Sequence, residues 1–192
     1  EHSFPTRRSS DLLLTVWAGS GSWVVRHLVV TYPEYNIVCF DKLDYCATLN
    51  NLAPVADRRN YTFHHGDITS PEAIQGALAK YDIDTVMHFA AQSHVDLSFG
   101  NSYSFTHANV FGTHVLLESA KAHAIKLFIH VSTDEVYGEV ESDAADLLET
   151  AILAPTNPYA ASKAAAEMLV NAYYKSFKLP VIIVRSNNVY GP

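Results

Sequence analysis

From residue 12 onward, short apolar runs of strand length alternate with longer stretches of helical periodicity, and this alternation limits the fold more than any other feature. Strands are expected at 12–17, 36–41, 61–66, 84–90, 126–132 and 181–185, and helices at 22–31, 71–81, 102–124 and 158–177. Runs such as NIVCFD (36–41) and KLFIHVS (126–132) are apolar at consecutive positions rather than at every second one. Strands of that kind are buried on both faces, which argues a parallel sheet sandwiched between helices. Right-handed crossovers then make an α/β domain with a doubly wound parallel sheet. With 192 residues and 48% hydrophobic composition, the chain holds one such domain around a sizeable core.

Charge and cysteine usage exclude several classes of function. Thirteen Lys+Arg against 20 Asp+Glu give −7 with no basic stripe, so no nucleic-acid partner is expected. No apolar run approaches the roughly 20 residues of a membrane helix. Cys39 and Cys46 form neither a metal nor a disulfide framework, and none of the ten histidines stands at ligand spacing. No metal is expected, and a reducing cytosol is the expected setting. Residues 1–11 (EHSFPTRRSSD) are polar and aperiodic and are set aside as a non-native or disordered segment, with the domain at 12–192. Arg7-Arg8 ahead of Leu12-Leu13-Leu14 resembles a twin-arginine signal only superficially, because Gly19, Gly21 and Arg26 interrupt the apolar stretch. The sequon Asn60-Tyr61-Thr62 is read as accidental. The last residues, Tyr190-Gly191-Pro192, directly follow a strand, so a further C-terminal part is expected to be missing.

A dinucleotide fold places a glycine-rich turn after its first strand, where pyrophosphate meets a helix N-terminus. Here Gly21 takes the last glycine position and Thr15 and Ala18 the first two, with side chains where bare backbone is wanted. Asp41, 20 residues beyond Gly21 at the end of the second strand, suits the ribose hydroxyls of NAD and repels the extra phosphate of NADP. Its neighbour Lys42 works against that preference. Asp67 and Ile68 close the third strand near the expected adenine position, and Ala90 and Ala91 close the fourth, where small residues let a cofactor lie against backbone. His88 within that fourth strand is expected to be a packed core histidine. Tyr159 and Lys163 stand at i and i+4 on one helix and so share a face, where an ammonium would lower the tyrosine pKa toward that of a working base. Thr133, at the end of the fifth strand, is placed to hold the same substrate oxygen. Asp134 and Glu135 follow it, and two carboxylates beside a redox tyrosine supply an acid and a base for eliminating water.

These stretches resemble the extended short-chain dehydrogenase/reductases, and among them the nucleotide-diphosphoglucose 4,6-dehydratases. The resemblance rests on FDKLDYCATLNNL (40–52), HFAAQSHVDLSFGNS (88–102), NVFGTHVLLE (109–118), FIHVSTDEVYGE (128–139), PTNPYAASKAAAEM (155–168) and RSNNVYGP (185–192). Thr-Asp-Glu ahead of Val-Tyr-Gly separates it from sugar-nucleotide epimerases, which share the tyrosine and lysine. The resemblance implies a Rossmann-like fold, tightly held NAD and a redox-neutral hydro-lyase acting on dTDP-glucose or UDP-glucose, the latter in rhamnose formation. It implies that Tyr159, with Thr133 and Lys163, takes the C4 hydroxyl proton, that Glu135 removes the C5 proton, and that Asp134 protonates the departing C6 hydroxyl. Gly21, Asp41, Lys42, Asp67, Ile68, Ala90, Ala91, Ser93, Tyr159, Lys163 and Asn188 are implied at the cofactor. Ser93, Thr133 and Asn187 are implied at the substrate, with Ala108 where relatives often carry a hydroxyl. A cytosolic homodimer through 102–124 and 157–178 is implied for the whole protein, and the piece alone is expected to be inactive. Epimerase activity and a catalytically dead nucleotide-binding module remain the competing readings.

Overall fold

The computed structural model describes residues 11–15, 20–44, 47–139 and 146–189. Among them are six strands: β1 (Asp11–Thr15), β2 (Asn36–Asp41), β3 (Tyr61–His65), β4 (Thr85–His88), β5 (Leu127–Thr133) and β6 (Val181–Ser186). The helices are α1 (Ser20–Thr31), α2 (Pro71–Lys80), α3 (Val95–Gly100), α4 (Ser102–Phe105), α5 (Gly112–Ala122) and α6 (Pro158–Phe177). All strand pairings are parallel, in the order β3-β2-β1-β4-β5-β6. The order reverses between β1 and β4, and a sheet of this kind opens its ligand crevice there, beyond the carboxyl ends of the strands.

Side-chain alternation divides the apolar runs between two cores. Leu13, Val38, Phe40, Val86 and Phe128 face a core shared with Ile74 and Leu78 of α2, Leu116 and Leu117 of α5 and Val170 of α6. Leu12, Leu14, Ile37 and Cys39 face the other, with Val25 and Val29 of α1 and Leu52 and Val55 of a 3₁₀ segment. Two covered faces are why β1 and β2 carry no polar alternation. Ile182 and Val184 of β6 are exposed.

The elements follow the sequence pattern, with local differences. β1 begins at Asp11, which pairs with Asn36 and accepts its side-chain amide at 2.6 Å, so the first strand reaches one residue into the segment set aside. β4 ends at His88; Phe89 donates one last bond to the Thr15 carbonyl, and the chain then leaves the sheet. The helix expected over 102–124 is interrupted by a π-type turn at Thr106–Phe111 between α4 and α5. The Leu49–Val55 3₁₀ segment and α3 were not anticipated. The Asn60 side-chain amide donates to the Val29 and Tyr32 carbonyls, which ties the sequon into the fold. Trp17, Ala18 and Gly19 of the glycine turn, Cys46, and the terminal Tyr190, Gly191 and Pro192 lie outside the described residues.

Candidate active site

The ends of β2, β3 and β4 form one cavity. Asp41, Lys42, Asp67, Ile68, Ala90 and Ala108 line it, together with Ala91. Asp41 holds the Leu43 N–H at 2.6 Å, and burial pushes its carboxyl pKa up against the pull of that bond and of Lys42. Lys42 Nζ sits 3.0 Å from Asp44 and 3.8 Å from Asp67. Asp67 Oδ1 accepts both the backbone N–H and the hydroxyl of Thr69 at 2.9 Å. Gly66 precedes it because a Cβ there would lie 2.4 Å from the buried Phe40 ring.

A second cavity opens on the other side of Ala91, which lines both. It gathers Gly21 of α1, Ser93 of the loop after β4, Thr133 at the end of β5 with Glu135 of the turn that follows, Tyr159 and Lys163 of α6, and Asn187 and Asn188 just beyond β6. Asp134 does not line it; its Oδ1 accepts the Thr133 hydroxyl at 3.2 Å. Thr133 caps the short turn Asp134–Tyr137 by accepting the Glu135 N–H at 3.3 Å, and its side chain hydrogen-bonds Tyr159. Thr15, expected to crowd the phosphate turn, is fully buried, with its hydroxyl 2.8 Å from His88 Nδ1 rather than in the crevice. His88 is the packed core residue expected, 1% exposed.

The tyrosine's electrostatics reverse the sequence expectation. Burial, and after it the Glu135 carboxylate, push Tyr159 up to about 12; the Thr133 hydrogen bond works against this and Asp134 adds to it. Lys163 does not offset them, because its Nζ is drawn under β5 to the Val131 carbonyl at 2.6 Å. Burial brings Lys163 itself down to about 8, with Glu167 opposing. The shared helix face is real, but the ammonium is spent on backbone.

Three residues that the sequence reading passed over hold this arrangement. Asn109, in the π-type turn, accepts the Gln92 N–H at 2.7 Å and donates to the Gln92 carbonyl and to Ser162 Oγ, both at 2.9 Å. Ser162 in turn donates to the Tyr159 carbonyl at 2.7 Å, so the loop after β4 is pinned to α6. Arg185 binds the fully buried Glu167 through Nε and Nη2, and through Nη1 reaches the Tyr137 hydroxyl at 2.6 Å and the Glu149 carbonyl at 3.0 Å. Asn157 caps α6 through the Ala160 N–H at 2.8 Å and donates to Glu135 Oε2 at 3.0 Å. A polar residue inside an apolar helix and an Asn ahead of Pro were the available signals.

The acid-pair turn ends at Gly138, with φ +84°, where a Cβ would lie 2.2 Å from the Ala154 carbonyl oxygen. That neighbour is held by the bond from the Ala154 N–H to the Val136 carbonyl at 3.0 Å. Gly138→Ala should therefore destabilise by at least about 1–3 kcal/mol. Gly76→Ala, mid-helix with nothing within 4 Å, should instead stabilise by about 0.5–1 kcal/mol. Denaturant midpoints of the two variants should move in opposite directions, and a common direction would refute the backbone argument. Among the described residues, no cluster of three or more His, Cys, Asp or Glu could hold a metal, and no helix is long and apolar enough to cross a membrane.

The profile of the GDP-mannose 4,6 dehydratase family matches residues 18–192. An Arabidopsis thaliana trifunctional UDP-glucose 4,6-dehydratase/UDP-4-keto-6-deoxy-D-glucose 3,5-epimerase/UDP-4-keto-L-rhamnose-reductase is 54% identical over 97% of this chain and 29% of its own length. The mouse dTDP-D-glucose 4,6-dehydratase is 50% identical over 98% of this chain and 53% of its own. The chain thus spans about half or less of these relatives. A Streptomyces venezuelae dTDP-glucose 4,6-dehydratase solved with NAD and TYD superposes with TM-score 0.89 at 40% identity, covering 95% of this chain and 57% of that one. A Thermus thermophilus UDP-glucose 4-epimerase solved with NAD superposes with TM-score 0.84 at 29% identity over 95% of this chain and 57% of that one. With a profile match running to the last residue and relatives half identical along nearly its whole length, the chain belongs to the GDP-mannose 4,6 dehydratase family.

Proposed function

We propose that this chain is the cofactor-binding part of an NAD-dependent nucleotide-diphosphoglucose 4,6-dehydratase acting on dTDP-glucose or UDP-glucose. One observation carries the reading: Thr133, Glu135, Tyr159 and Lys163 converge on a cavity that shares Ala91 with a second cavity lined by Asp41. The residues suit a dinucleotide. Asp41 offers its carboxylate to ribose hydroxyls, Ala90 and Ala91 leave backbone accessible, Asp67 and Ile68 flank the adenine end, and Gly21, Ser93 and Asn188 border the other. NAD, when bound, would accept hydride from the sugar C4 and return it to C6.

Tyr159 and Thr133 would hold the C4 oxygen, and Tyr159 would take its proton. With its own pKa pushed up, Tyr159 would need Lys163, which lines the same cavity, to turn its ammonium from the Val131 carbonyl toward it for that step. Ketone formation at C4 acidifies C5, whose proton passes to Glu135. The C6–O bond would break as Asp134, turning from the Thr133 hydroxyl toward the cavity, delivers a proton, and water would leave. Ser93 and Asn187 would orient the sugar. The relatives bearing dehydratase names and the adjacent Asp134–Glu135 pair favour this reading over epimerisation. The apolar exposure of Tyr103, Phe111, Met168, Tyr174 and Phe177 on α4–α6 supports a homodimer through that face. The unpaired buried Cys39 and the engaged Asn60 amide support a cytosolic setting.

The test is to incubate the full-length protein containing this chain with NAD and each sugar nucleotide in parallel. Formation of a 4-keto-6-deoxy sugar is expected; a C4 epimer with its 6-hydroxyl retained would overturn the reading. Cofactor choice is a further expectation. Because Asp44 and Asp67 occupy the Lys42 ammonium, NAD should bind more tightly than NADP. Asp41→Ala should weaken NAD by about 10–100-fold, the worth of a charge-assisted bond of roughly 1.5–3 kcal/mol. Equal affinities for the two cofactors by calorimetry would show that a cation reads phosphate here.

A further inference from the structure

The side chain of Asn157 joins two parts of the site that the reaction uses in succession. Its Oδ1 accepts the Ala160 N–H at 2.8 Å and closes the first turn of α6, the turn that carries Tyr159. Its Nδ2 donates to Glu135 Oε2 at 3.0 Å across 22 residues of sequence. Capping alone does not call for this residue, since Asp and Ser cap a helix about as well as Asn. Only the amide combines a cap acceptor with a donor that reaches a carboxylate. Glu135 is otherwise held through its backbone, with its N–H on Thr133 Oγ1 at 3.3 Å and its carbonyl accepting the Gly138 N–H at 3.0 Å. Among the described contacts, the carboxylate itself is oriented by Asn157.

We propose that Asn157 is a positioning residue for Glu135: its amide locks the carboxylate to the helix turn that carries Tyr159, so that one rigid unit addresses two neighbouring sugar carbons. The proposal rests on the reading of Glu135 as the C5 base. Tyr159 deals with the proton on the C4 oxygen and Glu135 with the proton on C5, so the spacing between the two groups must match adjacent carbons. A helix cap that also grips the base fixes that spacing without touching substrate. A displacement of about 1 Å in such a group costs on the order of 10²-fold in rate.

The test uses Asn157→Ser and Asn157→Asp in the full-length protein, both of which keep a capping oxygen. Asn157→Asp also sets a carboxylate against Glu135. Thermal midpoints and NAD retention should stay near the unmodified values. In Asn157→Ser, C4 oxidation, read as reduced nicotinamide in a single turnover, should stay within about threefold, while incorporation of solvent deuterium at C5 falls by about 10–100-fold. Asn157→Asp should suffer more than Asn157→Ser, and a 5-deuterated substrate should show an enlarged isotope effect in both. A cap with no positioning role would slow C4 oxidation and C5 exchange together, or lower the midpoint while leaving their ratio unchanged, and either result overturns the proposal. Glu135→Gln measured alongside separates the two levels of the argument. If it exchanges C5 at the unmodified rate, the base assignment has failed; if it does not, but both Asn157 variants exchange normally, only the positioning role has failed.

Discussion

Glu135→Gln should abolish dehydration while sparing the first oxidation. Glutamine is nearly isosteric with glutamate, and its amide oxygen can still accept the Asn157 Nδ2 bond that holds the side chain. The Thr133 cap on the residue 135 backbone is untouched. What is lost is the ability to take a proton. General-base removal from carbon contributes typically 10²–10⁴-fold, so formation of the 4-keto-6-deoxy sugar should fall by about that factor. Reduced nicotinamide should appear on adding substrate and persist, because the return step waits on elimination. Removing this negative charge also removes the second-largest influence raising Tyr159. The alkaline requirement for C4 oxidation should therefore ease: Tyr159, starting from about 12, should ionise at lower pH in the variant than in the unmodified protein. Dehydration at the unmodified rate would show that Glu135 does not take the C5 proton, and a C4 oxidation profile that does not move toward acid would show that it does not face Tyr159 in the working enzyme.

The parallel sheet was legible because burial on both faces leaves a signature that needs no tertiary knowledge. Leu12-Leu13-Leu14 and Ile37-Val38-Cys39-Phe40 divide between two cores, as consecutive apolar residues in a strand must. Strand ends were less legible: Phe89 and Ala90 extend the apolar run of β4, yet they border the crevice and not the sheet. Asp41 and the Tyr159–Lys163 pair could be placed from spacing alone, since each is set by one element. The error over the tyrosine has the same root. Spacing puts Lys163 on the correct face, but the direction its Nζ takes is decided by the Val131 carbonyl, 32 residues away. Asn109, Asn157 and Arg185 act through partners on other elements, and a single sequence carries no record of such pairings. The family resemblance supplied roles where local pattern could not, as with the order of Asp134 and Glu135.

Mild acid should destabilise this chain through two histidines in the middle of the sheet. His88 and His130 sit directly opposite one another on β4 and β5, with ring centroids 5.3 Å apart, and each is at most 1% exposed. Thr113 donates its hydroxyl to the Asn109 carbonyl, so it accepts from His88 Nε2–H, and His88 Nδ1 accepts from Thr15. His88 is therefore neutral, with its ring fully used. Burial, and then the Lys163 charge, bring it down to about 3, and the same two causes, with His88 added, hold His130 well below its ordinary value. In the unfolded chain both rings protonate near pH 6.5. Below that pH the unfolded state binds more protons than the native one, so stability falls as pH falls. His88, held at about 3, loses up to about 1.4 kcal/mol per pH unit below the unfolded value, about 2 kcal/mol by roughly pH 5, and His130 adds to the loss in the same direction. Domains of this kind are stable by only about 5–15 kcal/mol, so the loss is a large share of the total. His130 offers the control, because neither of its ring nitrogens has a hydrogen-bond partner among the described residues. His130→Leu should cost little near neutral pH and should halve the acid slope, leaving His88 to supply the remainder. Urea midpoints measured across that pH range in both proteins decide the matter. An unchanged slope in the variant would mean that His130 is not held neutral in the fold, and a flat profile in the unmodified chain would mean that neither ring is.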